Sequence, residues 1–599
     1  MLVGSFGLIG SNETKAEVIT KTITIDGNNV DQFNRFKGFG TVTANNTSRL
    51  MLDYKEEHPE EYWQIMNKLF NKDTGAGLTH VKIELGGDVN SSSGTEPATM
   101  RYADEQANIL RGAGFQFAAD AKSINPDITT EILRWGEPRF TWSGAANNQY
   151  ENRYQWYKQT IDAVYKEYGF KLDYVGISQN ERAQSNNGKN ELEWLKYFTA
   201  KIKTEPNYEE DYKDIKLVAA DGYRDTSTIS RTLLQNPDLI DEIDVISSHY
   251  GLTGSNELTQ LQNKLIAEGK KPKESWVSEG IAPMINARYR ENMEPNYKGL
   301  GGKAGIIDVT SRIISVYSWT GAGSNPLNAV SFDFQPSVAA FYEGSAYNPK
   351  HLISAMDPWS GFYEVDGGLQ GVRHVMNFVG YDDHTTPENE RWMYVKDATY
   401  SDGAFFDGGV DVDTSTHNYL TLKDPETNDY STVFANNTKE TRKYKIKAQN
   451  LNGKENAPIY VWETRGADEG QKVDANWFKN TNKITPVNGE YDVEVKPYSI
   501  VTISTLDKES EVEGFEYESE PVDLSKDTIM PLPYKDDFEY DKYPVDEKGR
   551  DYVDRRGGTP RYTTDQTGAF EVVKEATKPV ASGSAERANL EIPEAKAHG

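Results

Sequence analysis

The chain has 599 residues, no cysteine and a formal charge of −28, from 93 acidic and 65 basic residues, and its length implies about two to four domains rather than one core. That acidity repels phosphate backbones and anionic membranes, so no nucleic acid is expected as a partner. The lack of cysteine excludes disulfides, thiolate metal sites and cysteine nucleophiles, and no run of about eighteen apolar residues supplies an integral membrane segment.

Residues 1–17 read as a disordered leader or signal remnant. Leu2 to Gly10 is short, apolar and rich in small residues but lacks a basic n-region. A bacterial secreted or cell-surface setting is the expectation. Within residues 18–35, Val18 to Asp26 alternates Thr and Ile and reads as a strand belonging to a later sheet.

From residue 36 to 342 strand and helix signals alternate, the pattern of βα units. Eight strands are predicted: Phe36 to Val42, Thr79 to Leu85, Ile128 to Trp135, Asp173 to Ser178, Lys216 to Ala220, Asp244 to His249, Ser275 to Ser278 and Ala329 to Phe334. Helical stretches lie between them. Tyr62, Ile65, Met66 and Leu69, for example, recur at helical spacing. Eight such units over this length predict a (β/α)8 TIM barrel in the α/β class, whose chemistry sits where the strands end.

Two of those ends carry glutamates. The fourth strand runs into Asn180-Glu181, and the seventh into Ser278-Glu279. One carboxyl group that donates a proton and one that attacks carbon are the requirements of a retaining glycoside hydrolysis. Taken singly, Asn180-Glu181 also reads as a solvated turn and Glu279 as a helix N-terminal carboxylate; opposed strands make the pair informative. Asn180 is a candidate to bind a sugar hydroxyl. Tyr250, after His249 on the sixth strand, is a candidate to shape the site. Trp135 ends the third strand and reads either as the floor of a sugar site or as a cap on the barrel. Thr95, in the loop after the second strand, is a candidate hydroxyl donor. Asp221-Gly222 reads as a turn. No zinc pattern, phosphate loop or serine-hydrolase elbow occurs, so no cofactor and no metal are expected.

Residues 343–506 change to short alternating segments separated by Gly, Asn and Asp turns, which predict an all-β sandwich. Residues 507–530 read as an acidic linker. Residues 531–577 begin a further unit that stops early, and 578–599 read as a disordered tail.

With these residues in view the chain resembles the galactocerebrosidase family, glycoside hydrolase family 59. The resemblance is carried by Gly38-Phe39-Gly40, by Val81-Lys82-Ile83-Glu84-Leu85-Gly86-Gly87-Asp88, and by Gly94-Thr95-Glu96-Pro97. Further stretches are Asn180-Glu181-Arg182, Ser278-Glu279, Pro358-Trp359-Ser360-Gly361 and Asp565-Gln566-Thr567-Gly568. It implies a barrel, a sandwich built partly from the chain's start, and a lectin-like jelly roll over 531–577. It also implies release of galactose, with retention, from a β-galactoside substrate (glycolipid or glycan) such as galactosylceramide. Glu181 then resembles the acid/base and Glu279 the nucleophile, with Thr95, Trp135 and Asn180 holding galactose. Two alternatives stay open: a hydrolase of a β-galactan or other β-glycan, and a non-catalytic carbohydrate-binding surface protein.

Overall fold

The computed structural model describes residues 19–91, 94–142, 149–182, 189–205, 214–222, 225–249, 255–280, 306–318, 329–340, 352–365, 368–379, 391–402, 417–436, 438, 440–465, 478–508, 528–565, 568–573 and 597–598. The expected leader, Tyr250 and nearly all of the expected linker and tail lie outside these residues.

Ten strands lead the chain. β1 (Ile19–Asp26) and β2 (Val30–Arg35) precede the barrel. The barrel strands are β3 (Gly38–Thr43), β4 (His80–Leu85), β5 (Thr129–Arg134), β6 (Tyr174–Gln179), β7 (Lys216–Ala219), β8 (Val245–His249), β9 (Glu274–Gly280) and β10 (Ala329–Phe334). They close in chain order, with β10 returning to β3, and every pairing is parallel.

Strand alternation explains how the barrel is filled. On β4, Val81, Ile83 and Leu85 face outward into a core shared with Tyr62, Ile65, Met66 and Leu69 of the helix Pro59–Phe70. The alternate residues His80, Lys82 and Glu84 are buried as well. Their partners lie on other strands or just after them: Thr129 and Glu131 for His80, and Asp221 for Lys82. Barrel lumens are usually packed with branched aliphatics; this one carries a column of ionisable groups. Burying them requires hydrogen bonds or altered protonation.

Beyond the barrel, two sheets face each other across a core that includes Ile23, Ile25, Phe434, Tyr444, Ile446, Val493 and Val501. One sheet runs β2, Met393–Val395, Asn418–Lys423, Tyr430–Asn436, Ser499–Ser504, Ile459–Arg465 and Lys479–Ile484. The other is β1, Arg442–Gln449 and Glu490–Val495. The expected early strand therefore joins the sandwich, but β1 pairs with Arg442–Gln449 in parallel. The helix Gly368–Met376 joins barrel to sandwich, and its His374 bonds Thr502 and Thr464 on two sandwich strands.

The described residues of 528–573 hold one helical turn, Tyr552–Arg555, and one two-residue strand, Glu571–Val572, paired to Ala597–His598. No jelly-roll sheet forms among the described residues there. A small cluster around Tyr540, Tyr552 and Val572 is its own core, so the segment is a strap held by ion pairs to the barrel. Arg556 meets Asp53 of α1 (Met51–Glu57) at 2.7 Å with both side chains 1% exposed. Arg101 and Arg111 meet Glu571, and Arg555 meets Glu56. No described helix is long and apolar enough to cross a membrane.

Candidate active site

The two glutamates arrive by different backbone routes. Glu279 lies within β9, with its side chain 2% exposed. Glu181 follows the end of β6 with a left-handed backbone, φ 58°, and a side chain 37% exposed. A non-glycine residue holds that conformation only where its surroundings fix it. Here its N–H donates to the Asp221 carbonyl at 2.9 Å. Gly222 packs against it: a Cβ on Gly222 would lie 2.9 Å from the Glu181 Cα and would collide with the Asp225 carboxylate.

His249, at the end of β8, joins them. Its Nδ1 lies 2.8 Å from Glu181 Oε1 and 3.4 Å from Glu279 Oε2. The sum of those distances caps the gap between the two oxygens at about 6 Å. Retaining pairs stand ~5–5.5 Å apart and inverting pairs ~6.5–9.5 Å, the latter leaving room for a water. One oxygen of each carboxyl group thus lies close enough to the other to be compatible with a double displacement.

A buried network fixes the imidazole. Its Nε2 lies 2.8 Å from Asp221 Oδ1, which also accepts from Lys82 Nζ at 2.6 Å and Ser278 Oγ at 2.8 Å. Lys82 donates further to the Ser278 carbonyl at 3.1 Å. Burial pushes the His249 pKa down. The charge of Glu279 and the bonds to Asp221 and Glu181 overcome that and hold it at about 9. With carboxylates on both ring nitrogens, the ring donates on both sides as an imidazolium at neutral pH. Asp221 is buried, yet Lys82 and His249 hold its pKa below the usual carboxylate range. Deeper in the barrel, burial raises Glu131 to about 8; Lys82 opposes this and Asp221 adds to it. Asp333 is raised to about 6, again by burial, against the pull of His80 and Lys82.

The mouth opens into a cleft of about 660 Å³ lined by Trp135, Gly136, Glu137, Trp142, Asn180 and Glu181, among others. Trp135 and Asn180 thus stand beside Glu181. The Asn180 side-chain oxygen is buried and unpaired among the described residues, which suits a hydroxyl donor from a substrate. Thr95 is placed differently. It is fully buried under the strap, its hydroxyl accepting from the Gly568 N–H at 3.1 Å and its N–H donating to the Asp565 carbonyl at 2.9 Å.

Sequence reasoning missed Lys82 and Glu131 and read Asp221 as a turn. The available signal was period two: His80, Lys82 and Glu84 alternate with three aliphatics in a strand buried on both faces.

Known proteins resemble this chain along most of its length. The model of glycosyl hydrolase family 59 matches residues 36–377. Among curated relatives, galactocerebrosidase of Danio rerio is 25% identical over 568 residues, covering 90% of this chain and 70% of that protein. Homo sapiens galactocerebrosidase is 25% identical over 547 residues, covering 87% and 67%. A putative galactocerebrosidase of Caenorhabditis elegans is 31% identical over 258 residues, covering 42% and 36%. Solved structures share the fold at low identity. SrfJ from Salmonella typhimurium has a TM-score of 0.54 at 12% identity, covering 81% of this chain and 92% of that one. The catalytic domain of a GH30 xylanase C from Talaromyces cellulolyticus has a TM-score of 0.54 at 14%, covering 81% and 99%. With a closed parallel barrel, paired glutamates at its mouth and a family match spanning more than half its length, the chain belongs to glycosyl hydrolase family 59.

Proposed function

We propose that this protein is a retaining β-galactosidase in which Glu279 is the nucleophile and Glu181 the acid/base. The observation that carries the assignment is the meeting of both carboxyl groups at one edge of His249. The galactocerebrosidases among its relatives point to galactose as the sugar released.

Glu279 attacks the anomeric carbon while Glu181 gives its proton to the leaving oxygen, and the glycosidic C–O bond breaks. A galactosyl ester on Glu279 results. Glu181, now a carboxylate, takes a proton from water; the oxygen of that water attacks the same carbon and releases Glu279. The His249 imidazolium keeps both carboxyl groups oriented through the cycle. Lys82 and Ser278 hold it in place through Asp221.

Azide separates the two roles. With an activated aryl β-galactoside, Glu279→Ala plus azide should give α-galactosyl azide, one inversion at carbon. Glu181→Ala plus azide should give β-galactosyl azide, because azide needs no base to attack the ester. The same anomer from both variants, or full activity in either, would refute the assignment.

A further inference from the structure

Glu131, on β5, is fully buried inside the barrel, and the strand register sets it beside Lys82. β6 leaves room for it at Gly176, where a Cβ would lie 3.2 Å from Glu131 Oε1. The groups that face it are His80 and Lys82 on β4, Asp221 after β7, His249 on β8 and Asp333 on β10. Among them Lys82 and His249 carry positive charge, and Glu279 already draws on both. Those two cations cannot compensate Asp221, Glu131, Asp333 and Glu279 all at once, so some of these buried carboxyl groups keep their protons.

Asp221 is not one of them. Its Oδ1 accepts from Lys82 Nζ, Ser278 Oγ and His249 Nε2. Its Oδ2 is buried and meets no donor among the described residues. Glu131 is the converse, since neither of its buried oxygens meets a donor among the described residues. His80 supplies none. The Thr129 hydroxyl donates to the Thr79 carbonyl at 3.3 Å, so it accepts from His80 Nδ1 at 2.8 Å. Burial holds the His80 pKa below its ordinary value. The neutral ring therefore presents Nε2, 3.4 Å from Glu131 Oε2, as an acceptor. The side chains of Glu131 and Asp221 lie within hydrogen-bonding reach of each other. Two carboxyl groups meet in that way with a proton between them, and the proton resides on the one that has no other donor.

We infer that Glu131 is a positioning residue for the acid/base: a neutral carboxylic acid whose O–H donates to Asp221 Oδ2 and fixes the carboxylate that aims His249 at Glu181. The inference rests on the β-galactosidase reading above. Donors on Oδ1 alone leave the Asp221 carboxylate free to turn about that oxygen. A donor on Oδ2 sets its plane, and with it the tilt of the imidazole between the two glutamates.

Two variants separate the hydrogen bond from packing: Glu131→Gln keeps a donor, and Glu131→Leu removes it at similar volume. With an aryl β-galactoside, Glu131→Leu should lower kcat about tenfold and leave KM nearly unchanged, because a buried acceptor loses its donor, whereas Glu131→Gln should stay within about twofold of the unmodified chain. Infrared spectra read the proton itself. The unmodified chain should lose a protonated-carboxyl C=O band as the pH rises through about 8, and Glu131→Gln should lack that band. Thermal melts show whether each variant is folded, and the infrared comparison decides the matter if Glu131→Leu is not. Undiminished kcat in Glu131→Leu, an equal fall in Glu131→Gln, or the same infrared change in Glu131→Gln as in the unmodified chain would each overturn the inference while leaving the β-galactosidase reading intact. Failure of the unmodified chain to hydrolyse any β-galactoside would overturn that reading, and this role with it.

Discussion

At the scale of single residues, the positions of both glutamates depend on His249 keeping its proton. Its folded pKa of about 9 lies above the ordinary histidine value of 6.5. The folded state therefore binds a proton that the unfolded state releases between those values. Stability from this group is fully present below pH 6.5 and is lost as the pH rises through about 9, on the order of 3 kcal/mol in all. Thermal melts from pH 6 to 10 should show that decline, and His249→Gln should flatten it. A wild-type curve level across the range would contradict the imidazolium. The Lys82–Asp221 pair is fully buried. Removing Lys82 leaves the buried Asp221 carboxylate with only His249 and Ser278 as partners, at a cost of about 3 kcal/mol. Lys82→Met should therefore lower the melting temperature by several degrees and reduce turnover, since it frees the residue that positions His249.

Single elements set the geometry of the glutamates. The turn after β7 is the clearest case. A methyl group on Gly222 would lie 2.9 Å from the Glu181 Cα and 2.3 Å from the Asp225 carboxylate, so it displaces Glu181 as well as the buried Asp225. A shift of about 1 Å near the chemistry can cost ~10²-fold in rate. Gly222→Ala should thus lower kcat by about that factor; equal kcat would show that the turn does not position Glu181. Barrel strands were legible in the sequence because they are short apolar runs between turn residues, and their two glutamates fall at strand ends. Lys479–Ile484 was not legible, since it lies at a sheet edge with its side chains largely exposed and shows no apolar alternation. The lumen network was hidden for another reason. Lys82, Glu131 and Asp221 look like solvent-facing residues one at a time, and only closure of the barrel brings them together. Thr95 shows the converse, a motif residue whose hydroxyl is taken by the strap.

Across the whole molecule, two joints hold barrel, sandwich and strap together. His374 sits at the first. Burial, aided by Arg373, lowers its pKa to about 3. The unfolded chain takes up that proton near pH 6.5, so stability is lost as the pH falls from 6.5 toward 3. An acid melt should show the barrel and sandwich weakening together over that range, and a flat response would exclude His374 as the cause. At the second joint Arg556 and Asp53 form a buried pair. Arg556→Met should loosen the strap, seen as faster proteolysis of residues 528–573; an unchanged digestion rate would show that the pair is not its anchor.

The proposed double displacement on β-galactosides assigns the chemistry to the Glu181–Glu279 pair. The most direct test is to follow hydrolysis of an aryl β-galactoside by proton NMR and to identify the anomer formed first. The initial product should be β-galactose, with the α anomer appearing only at the rate of mutarotation, and Glu279→Gln should give no product. Initial release of α-galactose, or undiminished hydrolysis by Glu279→Gln, would contradict it.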